Sequence, residues 1–179
     1  MGEGFQSLGC RRRQRVRHDR LHDRAGSSAQ RRRAQKKPED DEAIGRSRGG
    51  LSTKIHTLVD ALGNPLRFLL TPGQAHDLEG ADAFIPHLEA AALLADKAFD
   101  ADARVIEPLL AAGKTPVIPS IPSRAQKRPY DEVLYKERHL IENFFCKLKQ
   151  FRAIATRYDK RAANFLAGIY AAAILIWLN

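Results

Sequence analysis

Between Tyr130 and Phe151 the chain reads YDEVLYKERHLIENFFCKLKQF, a run with helical periodicity. Placed at about 100° per residue, Tyr135, Arg138, Glu142 and Lys149 fall within roughly 60° of one another. An acid, two bases and a phenol in one line can hold a charged ligand. The same line also reads as a solvated flank steadied by charge pairs one turn apart, the usual condition of a charged helix face. A second acid, Asp96, closes the short apolar run AALLAD at 91–96. A carboxylate there suits either a site at a strand end or a plain helix cap.

The elements that must position these groups can be read around them. Leu134, Ile141, Phe144, Phe145 and Leu148 form one broad apolar face, so a single helix from about Tyr130 to Phe151 would lie on a core with the polar stripe along its border. From Leu51 the segment STKIHTLVDALGNPLRFLL gives a strand, a Gly63-Asn64-Pro65 turn and a second strand through Phe68, Leu69 and Leu70. Asp77 can cap a helix to about Leu88, and residues 91–96 make a buried strand. A helix from about Asp100 to Ala112 would stop at Gly113, with TPVIPSI as a further strand. Strand, hairpin, helix, strand, helix, strand describes a mixed α/β sheet.

Charge is divided unevenly along the 179 residues. The net charge is +9, yet residues 1–37 hold twelve Arg or Lys against Glu3, Asp19 and Asp23, which leaves residues 38–179 neutral. Residues 1–43 are Arg-rich, with little apolar content to offset ordering entropy, and read as a disordered segment ahead of a folded unit at 44–179. Cys10 and Cys146 are too few and too far apart for a zinc site or a disulfide framework, which fits a reducing cytoplasm. No run reaches the length of a membrane span. The closing stretch FLAGIYAAAILIWLN reads as a buried final helix.

YKERHLIENFFCKLKQ at 135–150 resembles the signature of DDE transposases of bacterial insertion sequences: Tyr, Arg after two residues, Glu after three more and Lys after six more. Tyr135, Arg138, Glu142 and Lys149 match every member. GRSRGGLSTKIHTLVDALGNPLRFLLTPGQAHD at 45–77, LLADKAFD at 93–100 and IATRYDKRAANFLAGIYAAA at 154–173 resemble further segments of that family, in order. The resemblance implies an RNase H-like fold, a mixed sheet flanked by helices, with Asp96 as the second catalytic aspartate and Glu142 as the catalytic glutamate. It further implies DNA cleavage and strand transfer assisted by two Mg²⁺ (or Mn²⁺) ions held on carboxylates. Arg138 and Lys149 would hold DNA phosphates, and Tyr135 a base or phosphate. Asp96 and Glu142 are then expected to face one another across a cleft. His56, His76 and His139 have no paired metal-ligand spacing and read as structural or DNA-facing.

The family's first catalytic aspartate, expected on an opening strand upstream of Gln35, has no counterpart here, and Asp60 in the hairpin is a poor substitute. The fold is therefore expected to lack its first strand. HDRLHDRAGSSAQRRR at 18–33 can be encoded so that reading one base later gives MIDSTIVRAHQHSAGA, which resembles the missing motif. Residues 1 to about 34 thus read as an out-of-frame segment. Gln35-Lys36-Lys37 can be encoded by adenines on which a ribosome could slip from an upstream frame, as relatives of the family do. The expected partners are DNA, both transposon ends and target, together with a second copy of the chain or the product of the upstream frame. No membrane is expected. A competing reading is a DNA-binding or dimer-interfering fragment that modulates transposition without catalysis.

Overall fold

The computed structural model describes residues 4–15, 42–48 and 50–178, with only the backbone described for 10–15. Six strands form one mixed sheet among these residues: β1 (Phe5–Arg15), β2 (Gly45–Ser47), β3 (Gly50–Val59), β4 (Pro65–Pro72), β5 (Ala92–Ala95) and β6 (Thr115–Val117). β1 is central, antiparallel to β3 (Leu8 opposite Leu58) and parallel to β5 (Leu8 opposite Ala95). β6 extends the sheet parallel to β5, while β2 and β4 each pair antiparallel with β3. The mixed sheet flanked by helices is the α/β architecture expected from the RNase H-like resemblance.

One expectation is corrected. An opening strand is present, with β1 filling the middle of the sheet. Its first residues explain this: Leu8 faces one core, Phe5 packs against another, and Ser7 is fully buried between neighbouring strands. A few inward residues at a spacing of two suffice to seat a strand between two formed edges, however polar the wider segment. The strand nevertheless contributes no carboxylate, since Phe5–Arg15 contains neither Asp nor Glu. The expectation of disorder for 16–41 lies outside the described residues.

The two sheet faces carry different helices. On one face Leu8, Leu58, Leu93 and Ala95 pack against α1 (Leu78–Phe84) and α2 (Glu107–Ala111), the latter entered through a π-helical turn at Asp102–Ile106. Gly113, at φ 69°, ends that helix in a conformation that glycine adopts without strain. On the other face Ile55, Val59 and Phe68 pack against α4 (His139–Leu148) and α6 (Ala162–Trp177), with the one-turn α5 (Arg152–Ala155) between them in the chain. Further along that face, Leu94 and Val117 pack with Leu134 and Tyr135 of α3 (Glu132–Lys136).

β3 is covered on both sides, so all of Ser52–Val59 is buried, including its polar residues. Each polar side chain then needs a partner. Thr53 donates to the Ala43 carbonyl at 2.7 Å, Lys54 to Asp77 at 2.7 Å and Thr57 to the Arg67 carbonyl at 3.1 Å, while His56 Nε2 lies 2.8 Å from the Thr71 hydroxyl. Asp77 precedes α1 as expected, but its side chain makes no cap bond and serves Lys54 instead. The final helix buries only Phe165, Ile169, Ala172 and Ala173, leaving Tyr170, Ile174, Leu175 and Trp177 exposed. Among the described residues no helix is long and apolar enough to cross a membrane.

Candidate active site

The long helix expected over Tyr130–Phe151 is two helices. α3 starts under a cap from Asp131, whose carboxylate accepts from the N–H groups of Val133 and Leu134, and it ends at Lys136. The Leu140 N–H then bonds the Glu137 carbonyl, one residue short of the α-helical partner, and His139 Nδ1 lies 2.9 Å from the Lys136 carbonyl that a continuous helix would have used. A histidine that occupies the ladder carbonyl of the preceding turn lets the helix bend there. The bend separates Leu134, which joins the β5–β6 cluster, from Ile141, Phe144, Phe145 and Leu148 of α4.

Tyr135, Arg138 and Glu142 meet around this bend. Arg138 donates to Glu142 at 2.7 Å, and its guanidinium carbon lies 5.9 Å from the centre of the Tyr135 ring. Tyr130 packs edge-on against Tyr135 at 5.4 Å. Glu142 is largely exposed, its side chain at 60%, whereas Arg138 is at 22%. Lys149 is not in this group. It caps the end of α4 two turns beyond Glu142, on the same side but about 10 Å along the axis.

Asp96 follows β5 directly. Its backbone is still extended, at φ −76° and ψ 171°, and Leu94, two residues earlier, packs with Tyr135. The Asp96 Oδ1 accepts from the Ala98 N–H at 2.8 Å, so the helix-cap reading is realised in a single 3₁₀ turn at Lys97–Phe99. The cap occupies one carboxylate oxygen and is compatible with a second role for the other.

Asp60 is fully committed to the hairpin turn, accepting from Leu62 N–H, Asn64 N–H and the Asn64 amide. It follows β3, whose last residue Val59 pairs with Ser7, itself level with Leu94 two residues before Asp96. His76 Nδ1 accepts from the Leu78 N–H, and His56 is buried, its pKa lowered to about 4 chiefly by desolvation, which the nearby Asp77 opposes.

Three polar constellations were not read from the sequence. Asp100, with a fully buried side chain, accepts from the Ile121 N–H, Arg124 and Arg128, while Asp102 accepts from the same two arginines. Burial by itself would raise the Asp100 pKa, but the Ile121 and Arg124 hydrogen bonds and the charge of Arg128 outweigh it and hold the carboxyl below its usual range. Arg157, fully buried at φ 36°, donates to the carbonyls of Asp159 and Lys160 at 2.9 Å and to the Thr53 hydroxyl. Its guanidinium lies 4.6 Å from the Phe165 ring centre. The third is the Lys54–Asp77 pair. The available signal was charge inside otherwise apolar runs, as in STKIHTLV, where a lysine must bring a partner.

A family model described as transposase DDE domain matches residues 14–177. The chain belongs to the DDE transposase family. A relative from Brucella ovis, named "Putative transposase for insertion sequence element IS6501", is 39% identical over 133 residues, covering 72% of this chain and 100% of the relative. No solved structure matches the chain.

DDE transposases as a family use divalent metal ions. The hard oxygens of Asp96 and Glu142 suit such an ion, which prefers carboxylates and retained water. Among the described residues no three His, Cys, Asp or Glu side chains gather into a metal-binding group.

Proposed function

We propose that this chain supplies two of the three acids of a transposase centre that cleaves DNA and transfers the strand with Mg²⁺ or Mn²⁺. Asp96 and Glu142 are the catalytic acids and metal ligands, and Tyr135, Arg138 and Lys149 are the DNA-binding residues. The observation that carries this reading is the Tyr135–Arg138–Glu142 contact group at the α3–α4 bend, where Tyr135 packs with Leu94, two residues before Asp96. When bound, the metal would stabilise the charge that develops on the attacking and leaving phosphate oxygens.

The protein's own groups have defined tasks. Arg138 screens Glu142 from the other acids while the site is empty of DNA, and a phosphate arriving there can take over the guanidinium, whose planar fork suits it. Lys149, about two turns away, holds a phosphate further along the strand. Tyr135 offers a ring edge and a hydroxyl beside Arg138. The Ala98 N–H fixes the orientation of the Asp96 carboxylate.

The isolated chain is inactive in this reading, because β1 brings no acid to the strand next to Asp96. A frameshift fusion would exchange residues 1 to about 34, and β1 with them, for a strand carrying the first aspartate. A strand-transfer assay with Mg²⁺ on the isolated chain and on the fusion tests this directly. The fusion should be active and the chain silent. Activity of the chain alone overturns the need for a third acid. Silence of both, with DNA still bound, would favour the non-catalytic modulator.

A further inference from the structure

The β2–β3 hairpin and the turn after β4 enclose a cleft of about 600 Å³ that none of the transposase residues above uses. Its walls are fixed by close backbone approach. The Gly73 N–H bonds the Ser52 carbonyl at 3.0 Å, and a Cβ at Gly73 would stand 2.0 Å from the Ser52 hydroxyl oxygen. A Cβ at Gly45 would stand 1.7 Å from the Gln74 amide oxygen. Larger residues at either glycine would force these walls apart. Lys54, only 3% exposed, bonds the Ala75 carbonyl and Asp77 and thereby staples the turn onto β3.

The charge of this cleft is lopsided. Lys54 is balanced by Asp77, whereas Arg46 and Arg48 on the rim are exposed and have no ion pair among the described residues. Residues 38–179 are neutral as a whole, so two unbalanced arginines over a polar, rigid hollow are a local excess. Arginine forks on an open rim fit the paired oxygens of a phosphodiester that continues on both sides. The open rim and the neutral floor suit a chain of phosphates rather than one enclosed anion.

We infer that the Arg46–Arg48 cleft is a second DNA-backbone site, separate from the catalytic one. Ser52 lies opposite Arg15, whereas the pairing of Leu8 with Ala95 and of Gly9 with Thr57 brings Asp96 nearly level with Thr57, five residues from Ser52 along β3. Lys54 and His56 face the α1 side. DNA held by the cleft would have its flank anchored there and its reacting phosphate near the level of Asp96, five strand residues or about 17 Å away. Such a contact supplies register and affinity, and carries no base information.

The inference rests on DNA being the substrate, and arginine modification of the full chain separates the two claims. The chain is treated with phenylglyoxal alone, with duplex DNA of random sequence, or with inorganic phosphate at equal phosphate concentration, and modified arginines are read by mass spectrometry. The duplex should protect Arg46 and Arg48, free phosphate should not, and Arg104 on α1's side, paired with Asp82, should stay as reactive as before. In the double variant Arg46→Gln, Arg48→Gln the affinity for the duplex should fall about tenfold, and the slope of log K against log salt should drop by roughly two. Unprotected Arg46 and Arg48 in a chain that binds DNA would overturn the cleft, as would equal protection by free phosphate or a double variant with wild-type affinity and slope. Failure of the wild-type chain to bind duplex would overturn the DNA-acting reading itself.

Discussion

Gly9 on β1 and Asp96, which directly follows β5, each stand one residue beyond Leu8 and Ala95, the last pair of the parallel register. A Cβ at Gly9 would lie 2.6 Å from the Cδ1 end of Ile141, the neighbour of Glu142 on α4. The backbone at Gly9 therefore lies beneath a movable methyl of α4. Introducing Gly9→Asp together with Ile141→Ala should add a third carboxylate there and tighten Mn²⁺ binding by about tenfold, a gain of about 1.4 kcal/mol. Calorimetric titration should show the gain and its loss on further Asp96→Asn. An unchanged affinity would mean that Gly9 does not border the acids.

Arg138 and Glu142 form a surface pair four residues apart, and such pairs contribute about 0.3–0.5 kcal/mol. Arg138→Ala should therefore leave Tm nearly unchanged while weakening binding to duplex DNA, with a salt slope lower by about one. A large fall in Tm with intact DNA binding would make the arginine structural.

His56 gives a pH dependence whose sign is fixed. Its folded pKa of about 4 lies below the ordinary 6.5, so the unfolded chain takes up a proton first as pH falls. Stability due to the neutral ring is present in full above about pH 6.5 and declines between there and pH 4, by roughly 3 kcal/mol in all. Urea denaturation of wild type and His56→Gln at pH 7.5 and pH 4.5 should show the wild type losing more on acidification. Equal losses would remove the histidine from the acid response.

Arg157 joins the segment before β2, β3, the 159–160 loop and α6 through one guanidinium. Arg157→Lys cannot reproduce the fork and should cost about 3 kcal/mol or more in unfolding free energy, as when a buried charged network is broken. A loss below about 1 kcal/mol, the scale of a surface substitution, would show that the network is dispensable.

The sequence was legible where periodicity is local. The β3–β4 hairpin, β5, the stop at Gly113 and the apolar face of α4 follow from spacing and turn residues within short windows. The break at His139 did not, because it depends on a side chain taking the Lys136 carbonyl, which leaves no trace in a hydrophobic pattern. β1 was missed for a different reason: its seat is made by β3 and β5, so the strand is fixed by long-range pairing that an arginine-rich context hides. At the site, residue spacing foretold the Tyr135–Arg138–Glu142 group, while Lys149 remains two turns away along the axis. The buried partners of Asp100, Lys54 and Arg157 lie 20 to more than 100 residues distant in sequence and could be found only in three dimensions.

The most direct measurement is DNA strand transfer by the frameshift fusion carrying Asp96→Asn or Glu142→Gln, each replacing a charged ligand by its neutral isostere. Both variants should keep the wild-type melting temperature and duplex affinity and lose detectable strand transfer in Mg²⁺. Strand transfer at the wild-type rate in either variant would contradict the assignment of that residue as a catalytic acid.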